Sequence, residues 1–270
     1  MELPGKIAIV TGSGGLGSGR AEARRLARER CRVVVSDIDE AGGKDTVRLI
    51  AADGGRAEFF RCDVSRASEV QALIEFAEQQ YGGLDILINN ASAPFRPAAS
   101  IAEWHETFQT DLFGAIYGVQ YGMEAMKRRG GGAIVNVSST SALGHGPRHS
   151  MAPAYDIAKM AVVRLTTTLA RLRESDNIRV NCLVPDWVAH PEVRAYYDAL
   201  TPEERRNPRI PPVLTSLEEI AEAAVRLIAD STLAGRVLVW WSGRQPALIS
   251  ATDPGYAALE PYSVDLTARQ

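Results

Sequence analysis

One stretch near the start of the chain, residues 6–30, limits the possible folds more than any other. It opens with a short, mostly apolar run (KIAIVT, 6–11) that passes abruptly into a segment with five glycines. Residues 20–30, rich in Ala, Arg, Glu and Leu, then predict a helix. A buried strand, a glycine turn and a helix in this order are typical of a parallel sheet. Such glycines let the backbone approach a phosphate, whose charge lies at the helix N-terminus.

An acidic residue follows at the position where a dinucleotide site needs one. Residues 32–36 predict a second strand, and Asp37 stands at its carboxyl end, twenty residues after Gly17. At this spacing a carboxylate can hydrogen-bond the adenosine ribose. It would also repel a 2′-phosphate, which favours NAD over NADP. A helix cap is the alternative role for Asp37, although Asp39 is the better cap candidate.

Strands and helices alternate along the rest of the chain. Further strands are predicted at 57–61, 84–88, 132–138, 178–184 and 236–241. Helices are predicted at 40–53, 66–81 (with Ser65 as the N-cap), 101–129, 154–174 and 217–230. This alternation predicts an α/β protein: a single-domain, doubly wound Rossmann fold with a seven-stranded parallel sheet and helices on both faces.

Residues 1–243 are expected to form one domain that carries both the cofactor and the substrate sites. Segments that leave the carboxyl ends of strands border the ligand crevice of an open α/β sheet. Residues 186–215 are therefore predicted to be a lid over the substrate, with a plain surface excursion as the alternative. Residues 244–270 show little periodicity and predict an irregular C-terminal tail.

Composition and charge argue against several classes of protein. The 270 residues are 46% hydrophobic, and the formal net charge of −3 gives no footprint for nucleic acid or an anionic membrane. No apolar run approaches the length of a membrane span, and the N-terminus lacks a signal-peptide pattern. Cys31, Cys62 and Cys182 are widely spaced, which predicts buried free thiols, no metal site and a cytoplasmic setting.

Tyr155 and Lys159 carry the chemistry that the sequence predicts. Four positions apart on a helix, they share one face and lie about 6 Å apart along its axis. A lysine ammonium this near favours the tyrosinate form by roughly 3 kcal/mol at an effective dielectric of about 20. The phenol can then pass a proton to or from a substrate oxygen. The alternative is a chance pair on a solvated face, which the order of the other motifs disfavours.

The motifs match a known family in their order along residues 3–243. They are Thr11-Gly12 with its glycine loop, Asp63-Val64, Asn89-Asn90-Ala91, Val137-Ser138-Ser139, Tyr155-x-x-x-Lys159 and Arg179-Val180-Asn181. With these motifs the chain resembles the classical short-chain dehydrogenases/reductases. That resemblance implies a nicotinamide dinucleotide cofactor, a small alcohol or ketone as the substrate, hydride transfer between them, and a homotetramer.

The resemblance also implies roles for single residues. Tyr155 would be the general acid/base, and Lys159 would assist it and hydrogen-bond the nicotinamide ribose. A serine after the fifth strand would donate to the substrate oxygen. Asp63 and Val64 would contact the adenine, and Asn90 and Val137 the region of the nicotinamide ribose. The full set of implied cofactor contacts is Gly12, Gly17, Gly19, Asp37, Asp63, Val64, Asn90, Val137, Tyr155, Lys159 and Pro185.

The glycine loop departs from the family pattern because it is one residue longer than usual. Alignment on the following helix selects residues 17–19 as the Gly-x-Gly that opens it. Alignment on the preceding strand selects residues 15–17. Gly17 belongs to both registers.

The serine motif is displaced as well. The position at which the family carries its serine falls on Ala142 in this chain. An insertion within residues 143–153 would leave Ser139, at the end of the strand, as the catalytic serine. Ser141 is the alternative.

Two carboxylates also replace the residues that the family usually carries. Asp111 stands where a helix asparagine supports a proton-relay water. An ionised carboxylate accepts hydrogen bonds but does not donate them, so Asp111 would increase the need for a charged Lys159 or carry a proton itself. We expect an altered pH dependence from it. Asp186 replaces the glycine after Pro185 and would reshape the nicotinamide pocket or contact the substrate.

The sequence therefore predicts a cytoplasmic, NAD-dependent oxidoreductase that interconverts a secondary alcohol and a ketone, with no nucleic-acid or membrane partner. Two alternatives stay open. One is an enzyme of this fold that uses NAD transiently, as in epimerisation or dehydration. The other is a nucleotide-binding regulatory protein with weak catalysis, which Asp111 and the displaced serine motivate.

Overall fold

The computed structural model of the protein describes residues 1–96, 100–144 and 150–250. Within them, eight strands form one sheet in the order β3-β2-β1-β4-β5-β6-β7-β8. The strands are β1 (Ile7–Thr11), β2 (Arg32–Asp37), β3 (Arg56–Arg61), β4 (Ile86–Asn89), β5 (Gly132–Val137), β6 (Ile178–Pro185), β7 (Val237–Trp240) and β8 (Ala247–Leu248). Strands β1 to β7 pair in parallel, which confirms the predicted doubly wound parallel sheet.

Helices cover both faces of this sheet. They are α1 (Ser18–Arg28), α2 (Glu40–Ala52), α3 (Ala67–Tyr81), α4 (Trp104–Thr107), α5 (Gly114–Arg128), α6 (Pro153–Thr168), α7 (Leu172–Asp176), α8 (Pro191–Ala199) and α9 (Leu217–Ala229). Helices α1, α2 and α9 pack on one face, and α3, α5 and α6 pack on the other. In the described part of the chain, no helix is both long enough and apolar enough to cross a membrane.

Burial on both faces explains the continuous apolar runs of the central strands. Along β1, Ala8 and Val10 enter the core under α1 and α9, whereas Ile7 and Ile9 enter the core under α3 and α5. Side chains of a strand alternate between the two faces, so each face here needs apolar residues. All four side chains are fully buried.

Several predicted elements differ in detail from the observed ones. The tail predicted to be irregular contains β8, which pairs antiparallel with β7 and adds an eighth strand; residues 251–270 lie outside the described residues. The helix predicted at 154–174 is two helices, α6 and α7. Ser65 is not the N-cap of α3, because that position is Arg66 and the Ser65 hydroxyl donates to Asp63.

The long helix predicted at 101–129 is interrupted. It begins as a 3₁₀ turn (Ile101–Glu103), continues as α4, passes into a π-helical turn (Phe108–Phe113) and ends as α5. A π-helical turn widens the helix by one residue and is often found at functional sites. Asp111 lies within this turn and is buried.

The order of the strands locates the ligand crevice. The chain order reverses between β1 and β4, and in open α/β sheets ligands bind at the carboxyl ends of the strands at such a point. Thr11, Asn89, Val137 and Pro185 end four neighbouring strands at this edge. The residues singled out in the sequence follow directly after these strand ends.

The segment after β6 leaves this edge and returns to it. Val188 and Thr215 form an isolated parallel bridge that closes its base. Between them lies α8, which Tyr197 ties to the returning chain by donating hydrogen bonds to the carbonyl oxygens of Pro211 (3.1 Å) and Pro212 (2.7 Å). The prediction of a lid over residues 186–215 stays a prediction.

Candidate active site

The glycine loop joins β1 to α1 and is sterically restricted at both of its ends. Gly12 has a φ of +66°, and a Cβ there would lie 2.7 Å from the Cα of Ala91. A Cβ on Gly19 would collide with the carbonyl oxygen of Gly12, whereas Gly15 faces open space. Glycine is therefore sterically required at residue 19 but not at residue 15, which favours residues 17–19 as the Gly-x-Gly that opens the helix. Gly17 is the N-cap of α1.

The N-terminus of α1 is built to receive an anion. Gly17 provides no side-chain cap, and the first turn of the helix contains no acidic residue. The free N–H groups and the helix dipole at this end favour negative charge. A dinucleotide pyrophosphate matches these features.

Asp37 lies at the end of β2, as predicted, and contacts the glycine loop directly. One of its carboxylate oxygens accepts a hydrogen bond from the Gly14 N–H (2.7 Å), and the other accepts from the Asp39 N–H (2.9 Å). Asp39 in turn caps α2 by accepting from the Gly42 N–H (3.1 Å). Asp37 thus holds the loop at the carboxyl end of β2.

Asn90 fastens the glycine loop to the end of β4. Its amide donates to the carbonyl oxygens of Thr11 (3.0 Å) and Gly12 (3.2 Å), and its oxygen accepts from the Ser18 hydroxyl (2.8 Å). The side chain predicted to contact the cofactor therefore joins two strand ends and α1. Any contact between Asn90 and the cofactor would be made in addition to these three hydrogen bonds.

Asp63 and Val64 follow β3. Asp63 accepts hydrogen bonds from the N–H (3.0 Å) and hydroxyl (2.6 Å) of Ser65. Partial burial opposes its charged form, but these bonds and one from Arg66 outweigh burial and hold the pKa of Asp63 below its ordinary value. Val64 is buried and lines a cavity together with Thr11 and Val137.

The structure brings Tyr155, Lys159, Asp111 and Val137 together. Lys159 is buried on α6, and its Nζ lies 5.4 Å from the centre of the Tyr155 ring. The same nitrogen lies 3.0 Å from a carboxylate oxygen of Asp111 and donates to the carbonyl oxygen of Val137 at 3.3 Å. Val137 was not expected as a direct partner of Lys159, because the sequence predicted only a contact between Val137 and the cofactor.

Asp111 is a hub of accepted hydrogen bonds. Besides the Lys159 ammonium, it accepts from the hydroxyl of Ser92 and from the N–H of Ala93 (3.0 Å). Ser92 is exposed, so the buried ion pair reaches solvent through one hydroxyl. A buried carboxylate needs such partners, because an unpaired charge in the interior is very unfavourable.

The charge of Lys159 is maintained by its surroundings. Burial by itself would lower the pKa of the ammonium, but the Asp111 carboxylate, with a smaller effect from Tyr155, outweighs it. The pKa of Lys159 is consequently raised above its ordinary value. The side chain therefore stays a cation near neutral pH.

Three serines follow β5, and each has a different role. The Ser138 hydroxyl is buried and donates to the Lys159 carbonyl oxygen (2.8 Å), which ties β5 to α6. Ser139 is partly exposed, and its oxygen accepts a hydrogen bond from the Ser141 N–H (3.3 Å). This bond uses the hydroxyl only as an acceptor, so its O–H can still donate to another group. The Ser141 hydroxyl oxygen is buried and has no hydrogen-bond partner among the described residues. The proposed insertion at 143–153 lies partly outside the described residues, which omit 145–149.

Asp186 links the turn after β5 to the end of β7. One carboxylate oxygen accepts from the Thr140 hydroxyl (2.9 Å), and the other accepts from the Ser242 N–H (3.2 Å). Thr140 directly follows Ser139. The Asp186 carboxylate, which replaces the family's glycine, therefore holds the turn at residues 139–141, called the serine turn below. The preceding residue, Pro185, ends β6 and is buried.

His190 lies on the glycine loop, although it stands far from it in the sequence. A Cβ built on Gly17 would lie 2.6 Å from Nδ1 of His190 and 2.8 Å from its Cε1. The imidazole therefore packs on the N-cap of α1. Burial lowers the pKa of His190, and Glu192 opposes this shift more weakly.

An open cavity lies in front of Tyr155. Its lining includes Pro94, Phe95, Arg96, Trp104 and Pro153. Phe95 meets the Tyr155 ring edge-on, with ring centres 5.5 Å apart. A mainly apolar, aromatic wall beside the phenol suits a hydrophobic ring.

Sequence reasoning missed Ser92 and His190 as members of this site. Ser92 directly follows the Asn89-Asn90-Ala91 motif, so its position after a strand end was a usable signal. No local signal marks His190, because its contact with Gly17 spans most of the chain. The three cysteines are buried and free, as predicted, and burial raises the pKa of each thiol to about 12.

Comparisons with known proteins identify the family to which the chain belongs. A family model described as short chain dehydrogenase matches residues 6–199. The 2,5-dichloro-2,5-cyclohexadiene-1,4-diol dehydrogenase of Sphingobium indicum is 35% identical over 237 residues, which cover 85% of this chain and 92% of that protein. The sex determination protein tasselseed-2 of Zea mays is 38% identical over 200 residues, which cover 70% of this chain but only 57% of that protein.

A solved structure shows the same relationship in three dimensions. It is a 7α-hydroxysteroid dehydrogenase complexed with NADH and 7-oxo glycochenodeoxycholic acid. The two chains superpose with a TM-score of 0.79 at 30% identity, covering 90% of this chain and 95% of the other. The fold, the family model and the relatives agree: the chain is an oxidoreductase of the classical short-chain dehydrogenase/reductase family.

Proposed function

We propose that this enzyme interconverts a ring-borne secondary alcohol and its ketone with NAD, and that Tyr155 is the general acid/base. The observation that carries the proposal is the buried ion pair of Lys159 and Asp111 beside the phenol. A phenol adjacent to a fixed cation is suited to exchanging a proton with a substrate oxygen.

The proton is moved by residues of this chain. In the oxidative direction, Tyr155 reacts as the phenolate, which the Lys159 cation stabilises, and takes the hydroxyl proton of the alcohol as the carbinol carbon gives up its hydride. Ser139 donates to the substrate oxygen, in preference to the buried Ser141. When bound, NAD supplies the hydride acceptor. In the reverse direction, the same groups protonate the developing alkoxide.

Asp111 positions Lys159 and keeps it charged. An ammonium has three N–H donors, and the described residues account for two of them, Asp111 and the Val137 carbonyl. The remaining donor is the one that we assign to the nicotinamide ribose. Ser92 then offers the ion pair a route for protons to solvent.

The residues at the strand ends fit a dinucleotide. We assign the pyrophosphate to the loop of Gly12, Gly17 and Gly19, because the helix N-terminus there is uncapped and free of acidic residues. The adenosine ribose is assigned to Asp37, whose oxygens retain lone pairs after binding Gly14 and Asp39.

The remaining assigned contacts are Asp63 and Val64 for the adenine and Asn90, Val137 and Pro185 toward the nicotinamide. The negative charge of Asp37 at the ribose favours NAD over NADP, since a 2′-phosphate would lie against it.

The cavity and the named relatives support the substrate class. The cavity beside Tyr155 has an aromatic wall formed by Phe95 and Trp104. The Sphingobium relative is named for a cyclohexadiene diol, and the solved neighbour was complexed with an oxo steroid acid. Both names describe ring-borne oxygens, and we propose the same class for this chain.

A panel of alicyclic and open-chain secondary alcohols, each tested with NAD and with NADP, examines this proposal. We expect reduced nicotinamide to form with a cyclic alcohol and NAD, and more slowly with NADP. Formation with NADP alone would overturn the assignment of Asp37. Product formation with no net change in reduced nicotinamide would instead indicate an epimerase or a dehydratase.

We also propose a homotetramer in the cytoplasm. Exposed Ile157 and Met160 on α6 give that helix an apolar outer surface that a second copy would cover. Light scattering coupled to gel filtration tests this directly. A monomeric mass would contradict the assembly while leaving the proposed chemistry unaffected.

A further inference from the structure

His190 is held in place by the backbone around it. The backbone N–H of His190 donates to the Val188 carbonyl oxygen (2.8 Å). The backbone carbonyl oxygen of His190 accepts from the Arg194 N–H (2.8 Å) in the first turn of α8. Val188 is itself bridged to Thr215 at the base of the segment that follows β6. The backbone at His190 is therefore anchored on both sides.

The anchored residue directs its imidazole across to the glycine loop. A Cβ on Gly17 would lie 2.6 Å from Nδ1 of His190, so the ring rests directly on the N-cap of α1. That N-cap has no side-chain partner, and the first turn of α1 has no acidic group. A titratable ring thus borders the place assigned above to a doubly charged pyrophosphate.

Burial lowers the pKa of the His190 imidazole below its ordinary value, which favours the neutral ring near pH 7 before a ligand binds. The imidazole contacts Gly17, and the glycine loop around it, residues 12–19, contains only Gly, Ser and Leu. Arg20, the first charged residue after the loop, has its guanidinium bound to Asp45 and to the carbonyl oxygens of Gly14 and Gly42. On its own helix, Glu192 raises the pKa of His190, but burial lowers it more.

We propose that His190 takes up a proton from solvent when the cofactor pyrophosphate binds, and that the resulting imidazolium donates a hydrogen bond to a phosphate oxygen. The inference rests on the proposed use of a dinucleotide and adds a proton to its binding equilibrium. Because a phosphate anion favours the charged ring, the affinity should increase as the pH is lowered.

Calorimetry of ADP-ribose binding tests this without turnover. The heat of binding is measured near pH 7 in two non-phosphate buffers with different ionisation enthalpies, and the difference gives the number of protons taken up. We expect about 0.5 proton per ADP-ribose, and an affinity about tenfold higher near pH 6 than near pH 8. Adenosine, which lacks the pyrophosphate, should bind without proton uptake.

Three variants isolate the imidazole. His190→Gln should bind ADP-ribose more weakly near pH 6 and take up no proton. His190→Lys should bind it tightly, also without proton uptake, because its cation is already present. His105→Gln replaces an exposed histidine on α4 and should keep the wild-type proton uptake.

The outcomes separate this inference from the proposed function. Binding of ADP-ribose with no proton uptake by the wild-type enzyme would overturn the role of His190 and leave the dinucleotide site standing. Absence of any binding would overturn both. Unchanged proton uptake in His190→Gln would assign the proton to another group and equally refute the inference. If His190→Gln fails to fold, His190→Lys gives the same answer, because proton uptake that persists in that variant would also assign the proton to another group and refute the inference.

Discussion

At the scale of single residues, the site depends on how buried charges are compensated. Lys159 and Asp111 are both almost fully buried, and each compensates the charge of the other. The sequence identified both residues and suggested that Asp111 would accept from Lys159. It could not identify Ser92 and Ala93 as the other donors to Asp111, because that contact depends on where the loop after β4 meets the π-helical turn.

Replacing Asp111 with Asn should change the pH dependence and the stability together. The carboxylate raises the pKa of Lys159, so its removal should lower that pKa. The alkaline fall of kcat/KM, where Lys159 loses its proton, should therefore move to lower pH. Leaving a buried cation unpaired should also reduce the free energy of unfolding by about 3 kcal/mol. Steady-state rates across pH and urea unfolding measure the two effects.

Asp176→Asn is the matched control for this variant. It breaks an ion pair with Lys127 that is much more exposed. Such pairs contribute about 0–1 kcal/mol, so neither the stability nor the pH profile should change much. A pH profile of Asp111→Asn that coincides with the wild type would refute the role assigned to Asp111.

A second buried carboxyl group makes the stability of the fold pH-dependent. Glu22 on α1 is fully buried without a hydrogen-bond partner among the described residues, and burial raises its pKa from 4.5 to about 8. The folded state then holds a proton that the unfolded state loses between these two pH values. Stability should accordingly fall as the pH rises from about 4.5 to about 8.

Glu22→Gln removes this titration. We expect the variant to be more stable than the wild type by about 3 kcal/mol near pH 7, and the difference should disappear near pH 4. Urea unfolding at several pH values measures it, with the exposed Glu218→Gln as the control. A variant that is less stable at every pH would show that Glu22 makes a favourable contact in the fold.

At the scale of elements, the site depends on turns that no periodicity predicts. The strands were predictable because β-branched runs buried on both faces leave a clear pattern, and α2 was predictable from its Asp39 cap. The π-helical turn at Phe108–Phe113 was not, because its residues have the same helical preferences as their neighbours. The position of the serine turn after β5 was also not predictable, because it depends on a hydrogen bond to Asp186, which is distant in the sequence.

The brace formed by Asp186 should affect catalysis through Ser139. Asp186→Ala and Thr140→Val each remove the hydrogen bond that holds the turn next to Ser139. We expect each to lower kcat about tenfold, because a small misplacement of a catalytic group is costly. Both variants remove the Thr140–Asp186 bond, so the double variant should be little worse than Asp186→Ala, which also loses the bond from the Ser242 N–H. Thr168→Val makes the same chemical change as Thr140→Val at an exposed position of α6 and serves as the control. Additive losses would contradict a shared brace.

At the scale of the whole molecule, the sequence predicted the sheet and most of the residues at its carboxyl edge. The strand order follows from alternation and short connections, and it brings Gly17, Asp37, Asn90 and Tyr155 to one side. The contact of His190 with Gly17 could not be predicted, since it depends on the path of the segment after β6. The same is true of β8, whose two residues are too few to show a pattern.

Binding of the cofactor should stabilise the entire fold, because it joins several strand ends. A ligand at 100 times its dissociation constant adds about 2.7 kcal/mol to the free energy of unfolding. We expect NADH to raise the melting temperature more than NADPH at equal concentration, because Asp37 lies where a 2′-phosphate would be placed. Differential scanning fluorimetry measures this. A larger shift with NADPH would contradict the assignment of Asp37.

The most direct test of the whole account is the rate at which Tyr155→Phe forms reduced nicotinamide from a cyclic secondary alcohol at saturating NAD. Phenylalanine keeps the ring that Phe95 contacts and removes only the hydroxyl. We predict a fall in kcat of about 10²- to 10⁴-fold, while the variant still binds ADP-ribose. Wild-type turnover by this variant would contradict the central claim that the Tyr155 hydroxyl, beside the Lys159–Asp111 pair, transfers the proton.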